Sequence, residues 1–210
     1  YRSYCFGRHA MHPGDDAAGR NDLAGLLNDA GVPTVFCSDE PVVLEHPLTA
    51  DRFDRSIAVD SGPGETAGEI ETTGMARLFA QAAAELEASQ SPGLLWIHAR
   101  GMEGPWDAPL ELRNQFAEED DPLPPESVEV PSRVWKEEDD PDVLLGIEHA
   151  YAGQVRLLDS CIGALLGAIR DSGLADQAMF LLKGARGFPL GMHGSVGDHD
   201  APLYGELVHV

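Results

Sequence analysis

The chain has little positive charge and few cysteines. Lysine and arginine together number 14 among 210 residues, against 36 aspartates and glutamates, so the formal net charge is −22. Such a surface repels phosphate backbones and anionic lipid headgroups, which argues against a nucleic-acid partner. Cys5, Cys37 and Cys161 are far apart and form no CxxC pair. We therefore expect isolated packing thiols rather than a disulfide framework or a zinc site.

Long apolar runs are also missing. Uninterrupted apolar runs such as residues 93–97 and 179–182 have the length of a strand and fall far below the roughly 20 residues that span a bilayer. We therefore expect no membrane insertion and a soluble protein. Nothing at the front of the chain, which begins at Tyr1, resembles a signal peptide, and both a cytoplasmic and an exported location stay open. The sequence gives no indication of oligomeric state.

Helical and strand-like patterns alternate along the chain. Apolar spacing predicts helices at residues 20–31, 74–88 and 143–170, and β-rich runs predict strands at 33–37, 56–59, 94–98 and 178–183. This alternation favours an α/β fold, a mostly parallel doubly wound sheet with helices on both faces, incomplete at the N-terminus if strands precede Tyr1. Ligands of such sheets bind beyond the carboxyl ends of the strands, here in the loops after His98 and Lys183.

One segment does not fit the pattern of a core element. Residues 118–142 contain eleven acidic residues and five prolines. A segment of this composition cannot bury enough apolar surface to pack as a core helix or strand. We expect a long acidic, proline-rich excursion on the surface of a single domain that covers residues 1–210.

Two stretches in the second half of the chain carry a recognisable motif. Residues 151–163 read Tyr-Ala-Gly-Gln-Val-Arg-Leu-Leu-Asp-Ser-Cys-Ile-Gly, and residues 184–194 read Gly-Ala-Arg-Gly-Phe-Pro-Leu-Gly-Met-His-Gly. They resemble the long helix of the sulfatase family, in the alkaline-phosphatase superfamily, and its later stretch Ser-Asp-His-Gly-Glu followed by Leu-Gly-x-His-Gly. Shorter segments that resemble the same family lie at residues 7–9, 104–109, 173–176 and 203–206.

The resemblance implies a divalent-cation site that this chain does not preserve. In the family an early Asp pair and a later Asp-His or Asp-Asn pair hold the cation, and here the later pair falls on Ala185 and Arg186. A guanidinium about 5 Å from a divalent ion would cost roughly 6 to 7 kcal/mol at an effective dielectric of about 20. We therefore predict no metal at Ala185 and Arg186, and no other cofactor.

The catalytic positions implied by the resemblance are also altered. The family nucleophile, a Cys or Ser within Cys/Ser-x-Pro-x-Arg, and the early Asp pair would lie before Tyr1 in this register. Cys5 lacks the Pro and the Arg of that signature. Glu103 stands where the family has a loop His, and its charge would repel a sulfate. Asp200 stands at an expected lysine near Tyr204.

Four residues form the candidate pocket: Arg186, His193, Glu103 and His98. Arg186 either binds a sulfate, phosphate or carboxylate through its planar fork or forms an internal ion pair with a carboxylate. His193 either contacts the anion or fixes its own loop. His98 ends a strand beside the expected pocket and is either a pocket residue or a structural one.

Two functions stay open. The first is a sulfatase-like pseudoenzyme that lacks metal-dependent ester hydrolysis and retains a pocket for a small anionic or sulfated ligand, such as a sulfated glycan. The second is an active sulfuric-ester hydrolase, with calcium or magnesium, whose nucleophile and first metal ligands lie upstream of Tyr1. The identity of the residues before Tyr1 would discriminate between the two.

Overall fold

The structure, a computed structural model, describes residues 22–46, 49, 51–62, 64–89 and 91–197. These residues divide into two compact units. The first unit consists of the described residues up to Asp60 together with Leu78–Arg100, and the second of Ser61–Arg77 together with the described residues from Gly101 onward. The single domain expected over residues 1–210 stays a prediction.

A parallel three-stranded sheet is the centre of the first unit. Strand β1 (Thr34–Ser38) pairs with β2 (Arg55–Ala58) on one side and with β3 (Leu94–His98) on the other. The chain passes from β1 to β2 at one edge and then reaches β3 at the opposite edge. The carboxyl-end edge of the sheet between β1 and β3 is therefore the topological switch point, the place where open α/β sheets usually bind their ligands.

Two short helices flank β1 along the chain. Helix α1 (Leu23–Asp29) begins after Asp22, whose carboxylate accepts the N–H of Gly25 at 2.6 Å and so satisfies one of the free donors of the first turn. Helix α2 (Pro41–Glu45) begins with a proline, whose missing N–H costs nothing in the first turn. These local signals explain why both helices begin where they do.

Helix α3 (Gly74–Ala88) lies in the crossover connection from β2 to β3. Within the first unit its buried stripe consists of Leu78, Phe79 and Ala82. Glu85 of the helix forms an ion pair with Arg55 of β2. The predicted helix at residues 74–88 and the predicted strands around β1, β2 and β3 are thus confirmed, and the fold is α/β with a parallel sheet.

The second unit is built on a long helix. Helix α5 (Pro141–Asp171) is capped by Asp140, begins with a proline and confirms the helix predicted at residues 143–170. Helix α4 (Leu110–Asn114) packs against it. The buried core of this unit contains Trp106, Ile147, Ala150 and Val196, with Tyr151 and Phe188 packed on their rim.

A two-stranded antiparallel ribbon completes the second unit. It pairs β4 (Ser132–Val134) with β5 (Ser195–Gly197). Strand β4 is exposed along its length, whereas all residues of β5 are buried. The sequence pattern did not anticipate this ribbon, because three-residue strands are too short to show a clear alternation.

The acidic excursion at residues 118–142 is mostly exposed but is attached to the second unit at defined points. Leu123 is 81% exposed, whereas Pro124 is buried. The main-chain N–H of Trp106 donates to the carbonyl of Val128 at 2.8 Å. The excursion also contributes β4, so it has structure that its composition alone did not indicate.

One predicted strand is wrong. Residues 178–183 belong to no helix or strand, and Met179, Leu181 and Leu182 are 94%, 71% and 65% exposed. An apolar run gives a strand only where a neighbouring strand supplies hydrogen-bonding partners, and none is paired with this segment among the described residues. The consequence is an exposed apolar segment between the end of α5 and Arg186.

Helix α5 is also long and apolar enough, by length and composition alone, to cross a bilayer. Charged residues interrupt its sequence, so no uninterrupted apolar run within it approaches the roughly 20 residues that span a bilayer. Core helices of soluble proteins meet the same criterion, and Leu157, Cys161 and Leu165 form part of a buried stripe along this helix. Helix length therefore does not by itself indicate a membrane span here.

Candidate functional site

Arg186 and Glu103 form an ion pair in the second unit. Arg186 Nε donates to Glu103 Oε1, and the side chains are 39% and 48% exposed, respectively. An ion pair with this exposure contributes little to stability. It nevertheless neutralises the cation that an anionic ligand of Arg186 would require. Of the two interpretations open for Arg186, the structure contains the internal ion pair.

The positions that resemble the metal-binding pair of the family do not fit a divalent cation. The side chain of Ala185 has no atom that could bind a metal, and the guanidinium of Arg186 is paired with Glu103. Hard cations need several oxygen ligands. Across residues 22–197, apart from the few undescribed positions, no group of three or more His, Cys, Asp or Glu could hold an ion. Cys5 and Asp200 lie outside the described residues, and the absence of a metal stays a prediction.

His193 lies in a tight turn, Met192–Gly194, with left-handed backbone angles of φ 53° and ψ 26°. His is among the residues that adopt this conformation more readily than most. Main-chain hydrogen bonds hold the turn: Gly194 accepts the N–H of Trp135 at 2.8 Å, and Gly191 donates to Ser195 at 2.8 Å. The side chain of His193 is exposed. Its contact with an anion stays a prediction.

His98 belongs to the first unit. It is the last residue of β3 and is aligned with Ser38 of β1. Its half-buried ring stacks on Phe36, with 6.4 Å between centroids, and Phe36 stacks in turn on Phe53 at 4.9 Å. In the second unit, Glu103 and Arg186 are therefore in contact, and His193 lies in a turn. His98 belongs to the first unit.

Two charged residues that the sequence analysis did not single out lie at the carboxyl ends of β1 and β3. Asp39 directly follows β1, is 7% exposed, and accepts the main-chain N–H of Arg100 at 2.9 Å through Oδ1. Burial raises the pKa of Asp39, and the hydrogen bond from Arg100 partly opposes this effect. The available signal was a charged residue immediately after a buried strand of a parallel sheet.

Two buried charged residues, Asp107 and Arg113, lie in the second unit. Asp107 Oδ2 accepts the N–H of Gly74 at 2.6 Å. Burial raises the pKa of Asp107 and lowers the pKa of Arg113, although the two charges attract. Desolvation thus outweighs their attraction on both sides. Arg113 has no exposed surface, and its Nε and Nη atoms donate to the carbonyls of Trp106, Ala108, Pro125 and Ser127.

The cysteines in the described part of the chain are packing residues. Cys37 and Cys161 are both buried and unbonded to any other sulfur. Burial raises the pKa of each thiol to about 11. Because the thiolate is the reactive form, burial and the raised pKa disfavour a nucleophilic role for either residue at neutral pH. The prediction of isolated packing thiols is confirmed for these two residues.

The raised pKa of Asp39 makes stability depend on pH. The folded state holds this proton at pH values at which the unfolded chain has lost it, so the free energy of unfolding falls as pH rises from 3.8 through the raised pKa. Asp39→Asn cannot ionise and keeps an acceptor for the Arg100 N–H. As pH rises from 3.8 to the raised pKa of Asp39, the free energy of unfolding of the variant should increase relative to that of the wild type. Above that pKa, the difference in the free energy of unfolding should be constant. Urea unfolding at pH values on both sides of the window measures this, and a pH-independent difference would contradict it.

A phosphonate monoester hydrolase of Agrobacterium radiobacter has a similar structure, with a TM-score of 0.49 and 13% sequence identity. The match covers 74% of this chain and 45% of the hydrolase, so the chain spans less than half the length of that enzyme. No protein-family model matches the sequence, and no curated protein is similar to it. A structural similarity of this extent does not identify a family.

Proposed function

We propose that this chain is a sulfatase-like protein that lacks metal-dependent ester hydrolysis. The motifs at residues 151–163 and 184–194 support membership of the sulfatase family. The Glu103–Arg186 ion pair supports the loss of metal-dependent ester hydrolysis. By the resemblance, Glu103 stands at the position of a loop His and Arg186 at the position of a metal ligand. The residues at these two altered positions have opposite charges, and their side chains form an ion pair with each other.

The pairing gives a physical reason for the two departures to occur together. Arg186 alone would repel a divalent cation, and Glu103 alone would repel an anionic substrate. As a pair, the two charges neutralise each other. Replacing either residue by the residue type of the family would leave the other charge without this partner. The pairing therefore supports the loss of hydrolysis, whereas a small anionic or sulfated ligand would have to displace Glu103 from Arg186 in order to bind there.

Metal binding and hydrolysis test the proposal directly. The full-length polypeptide should release no product from p-nitrophenyl sulfate or p-nitrophenyl phosphate, with or without added calcium or magnesium. Calorimetric titration should show no saturable calcium binding. The matched variant Ala185→Asp with Arg186→Asn restores the oxygen donors that the resemblance implies, and it should bind calcium more tightly than the wild type because it adds a carboxylate and removes a cation.

Metal-dependent turnover by the wild type would refute the proposal and favour the active sulfuric-ester hydrolase with a nucleophile upstream of Tyr1. If the wild type bound calcium as tightly as the double variant, the argument that Arg186 prevents metal binding would be refuted. Circular dichroism of both proteins verifies that the comparison is made between folded chains.

A further inference from the structure

The 178–183 segment, which reads Ala-Met-Phe-Leu-Leu-Lys, has the composition of a strand but lies outside every helix and strand of the described chain. It contains neither proline nor glycine, and its first five residues are apolar. Segments of this length with low charge, no proline and little glycine pair readily with a strand from another chain when they are exposed.

Both the side chains and the main chain of this segment lack partners within the described part of the chain. Met179, Leu181 and Leu182 are 94%, 71% and 65% exposed, and Phe180 is 43% exposed. No main-chain hydrogen bond between described residues involves positions 179–182. Exposed N–H and C=O groups beside apolar side chains form the template to which a further strand adds.

The charges at the two ends of the segment have opposite signs. Asp176 lies two positions before it, Lys183 is its last residue, and residues 177–182 between them are uncharged. Like charges that face each other destabilise a strand pair, whereas opposite charges stabilise it. If two identical segments paired in parallel, Asp176 would face Asp176 and Lys183 would face Lys183. An antiparallel pair instead brings the Asp176 end of each copy beside Lys183 of the other.

The identity of the partner follows from this charge pattern. Each copy has a net charge of −22, so two copies repel each other over most of their surface. Over residues 176–183, by contrast, one negative and one positive charge give a local net charge of zero. A second copy of the chain therefore supplies both an exposed apolar run and the complementary charges at its ends.

We propose that the 178–183 segment pairs with the same segment of a second copy of this chain as an antiparallel two-stranded ribbon. A two-fold axis centres such a ribbon on a single residue, and centring it on Phe180 places the two Phe180 rings opposite each other. Met179 of one protomer then faces Leu181 of its partner, and each side chain from 178 to 182 has an apolar neighbour across the ribbon.

The full chain should associate weakly and in proportion to its concentration, because an isolated two-stranded ribbon is only marginally stable. In sedimentation equilibrium at about 0.15 M salt, where the Debye length is about 8 Å, the mass should rise from 22.5 kDa towards twice that value as the concentration increases. Hydrogen exchange at residues 179–182 should slow over the same concentrations. Leu181→Pro should weaken association about tenfold or more, since proline has no N–H for the ribbon and is poorly tolerated within a strand pair.

A charge exchange tests the antiparallel arrangement. Lys183→Glu places like charges beside Asp176 of the second copy and should weaken association. Asp176→Lys combined with Lys183→Glu restores opposite charges at the two ends and returns the net charge to −22, so it should restore association. Thermal unfolding verifies that each variant is folded. Equal weakening by the single and the double variant would contradict the proposed pairing.

A cross-link tests the centre of the ribbon. Facing residues of an antiparallel pair have Cα atoms about 4.5 to 5.5 Å apart, within the range of a disulfide. In a Cys5→Ser background, Phe180→Cys should form disulfide-linked dimers on mild oxidation with oxidised glutathione faster than Val42→Cys, a control that is 72% exposed in the first unit. A mass that stays at 22.5 kDa at every concentration, exchange at residues 179–182 that does not depend on concentration, or equal cross-linking of the two cysteine variants would each overturn the ribbon. None of these measurements depends on hydrolysis or metal binding, so failure here is distinct from failure of the proposed function.

Discussion

Replacing Arg113 by methionine should destabilise the protein by several kcal/mol, since each buried carbonyl left without its donor costs about 1 to 3 kcal/mol. The guanidinium is fully buried and donates to four main-chain carbonyls in the second unit. Without it, those carbonyls lose their donors and Asp107 keeps a buried charge with less compensation. Urea unfolding of the variant measures the loss, which is a large part of the roughly 5 to 15 kcal/mol typical of a domain.

Two further variants separate the causes. Arg113→Lys keeps a positive charge, but one ammonium cannot reach the carbonyls that the fork contacts, so most of the loss should persist. Arg113→Met with Asp107→Asn removes the uncompensated carboxylate and should recover part of it. Arg156→Met is the matched control, because Arg156 lies on the surface and its only ion pair among the described residues is with Asp159. An equal effect of the Arg113 and Arg156 substitutions would contradict the role of burial.

The regular elements were largely predictable because they rest on local signals. Helix α3 coincides with its predicted range, and α5 differs from its prediction by two residues at one end and one at the other. Each has apolar residues at helical spacing, and α5 has Asp140 as a cap. Strand β3 was predicted at residues 94–98, where it lies, since an apolar run follows a clear turn signal.

The failed strand shows the limit of such signals. Residues 178–183 are as apolar as β3, but β3 has β1 as a hydrogen-bonded neighbour and the failed segment has none in the described structure. Strand formation depends on a partner that is distant in the sequence, and periodicity contains no information about that partner. The same limit explains why the antiparallel pairing of β4 with β5 was not anticipated.

The candidate site was predictable only in part, for the same physical reason. Sequence reasoning identified Glu103 and Arg186 separately, but their pairing spans 83 positions and follows from tertiary structure. Asp39 and Arg100 were not identified at all, because their contact spans 61 positions and neither residue forms part of a recognisable motif. Strand ends can be located from the sequence, whereas the residues that meet there depend on strand order.

Gly153→Ala should destabilise the protein by roughly 1 to 3 kcal/mol, the usual range for overpacking. Gly153 lies in α5 at its contact with α4, and an added Cβ would approach Arg113 to 2.8 Å at Cα and 2.9 Å at N. Main-chain atoms cannot move aside as a flexible side chain can, so the two helices would have to separate. This shift would also disturb the guanidinium that holds the four carbonyls. Urea unfolding of Gly153→Ala measures the loss.

Gly163→Ala in the same helix provides the control and should have the opposite sign. An added Cβ at Gly163 meets no atom within 4 Å. Alanine there avoids the backbone entropy cost of a helical glycine, so the variant should be more stable by about 0.5 to 1 kcal/mol. Because helix propensity favours alanine at both positions, only close packing at Gly153 can reverse the sign. Stabilisation of both variants would show that α4 and α5 are not in the close contact on which the buried position of Arg113 depends.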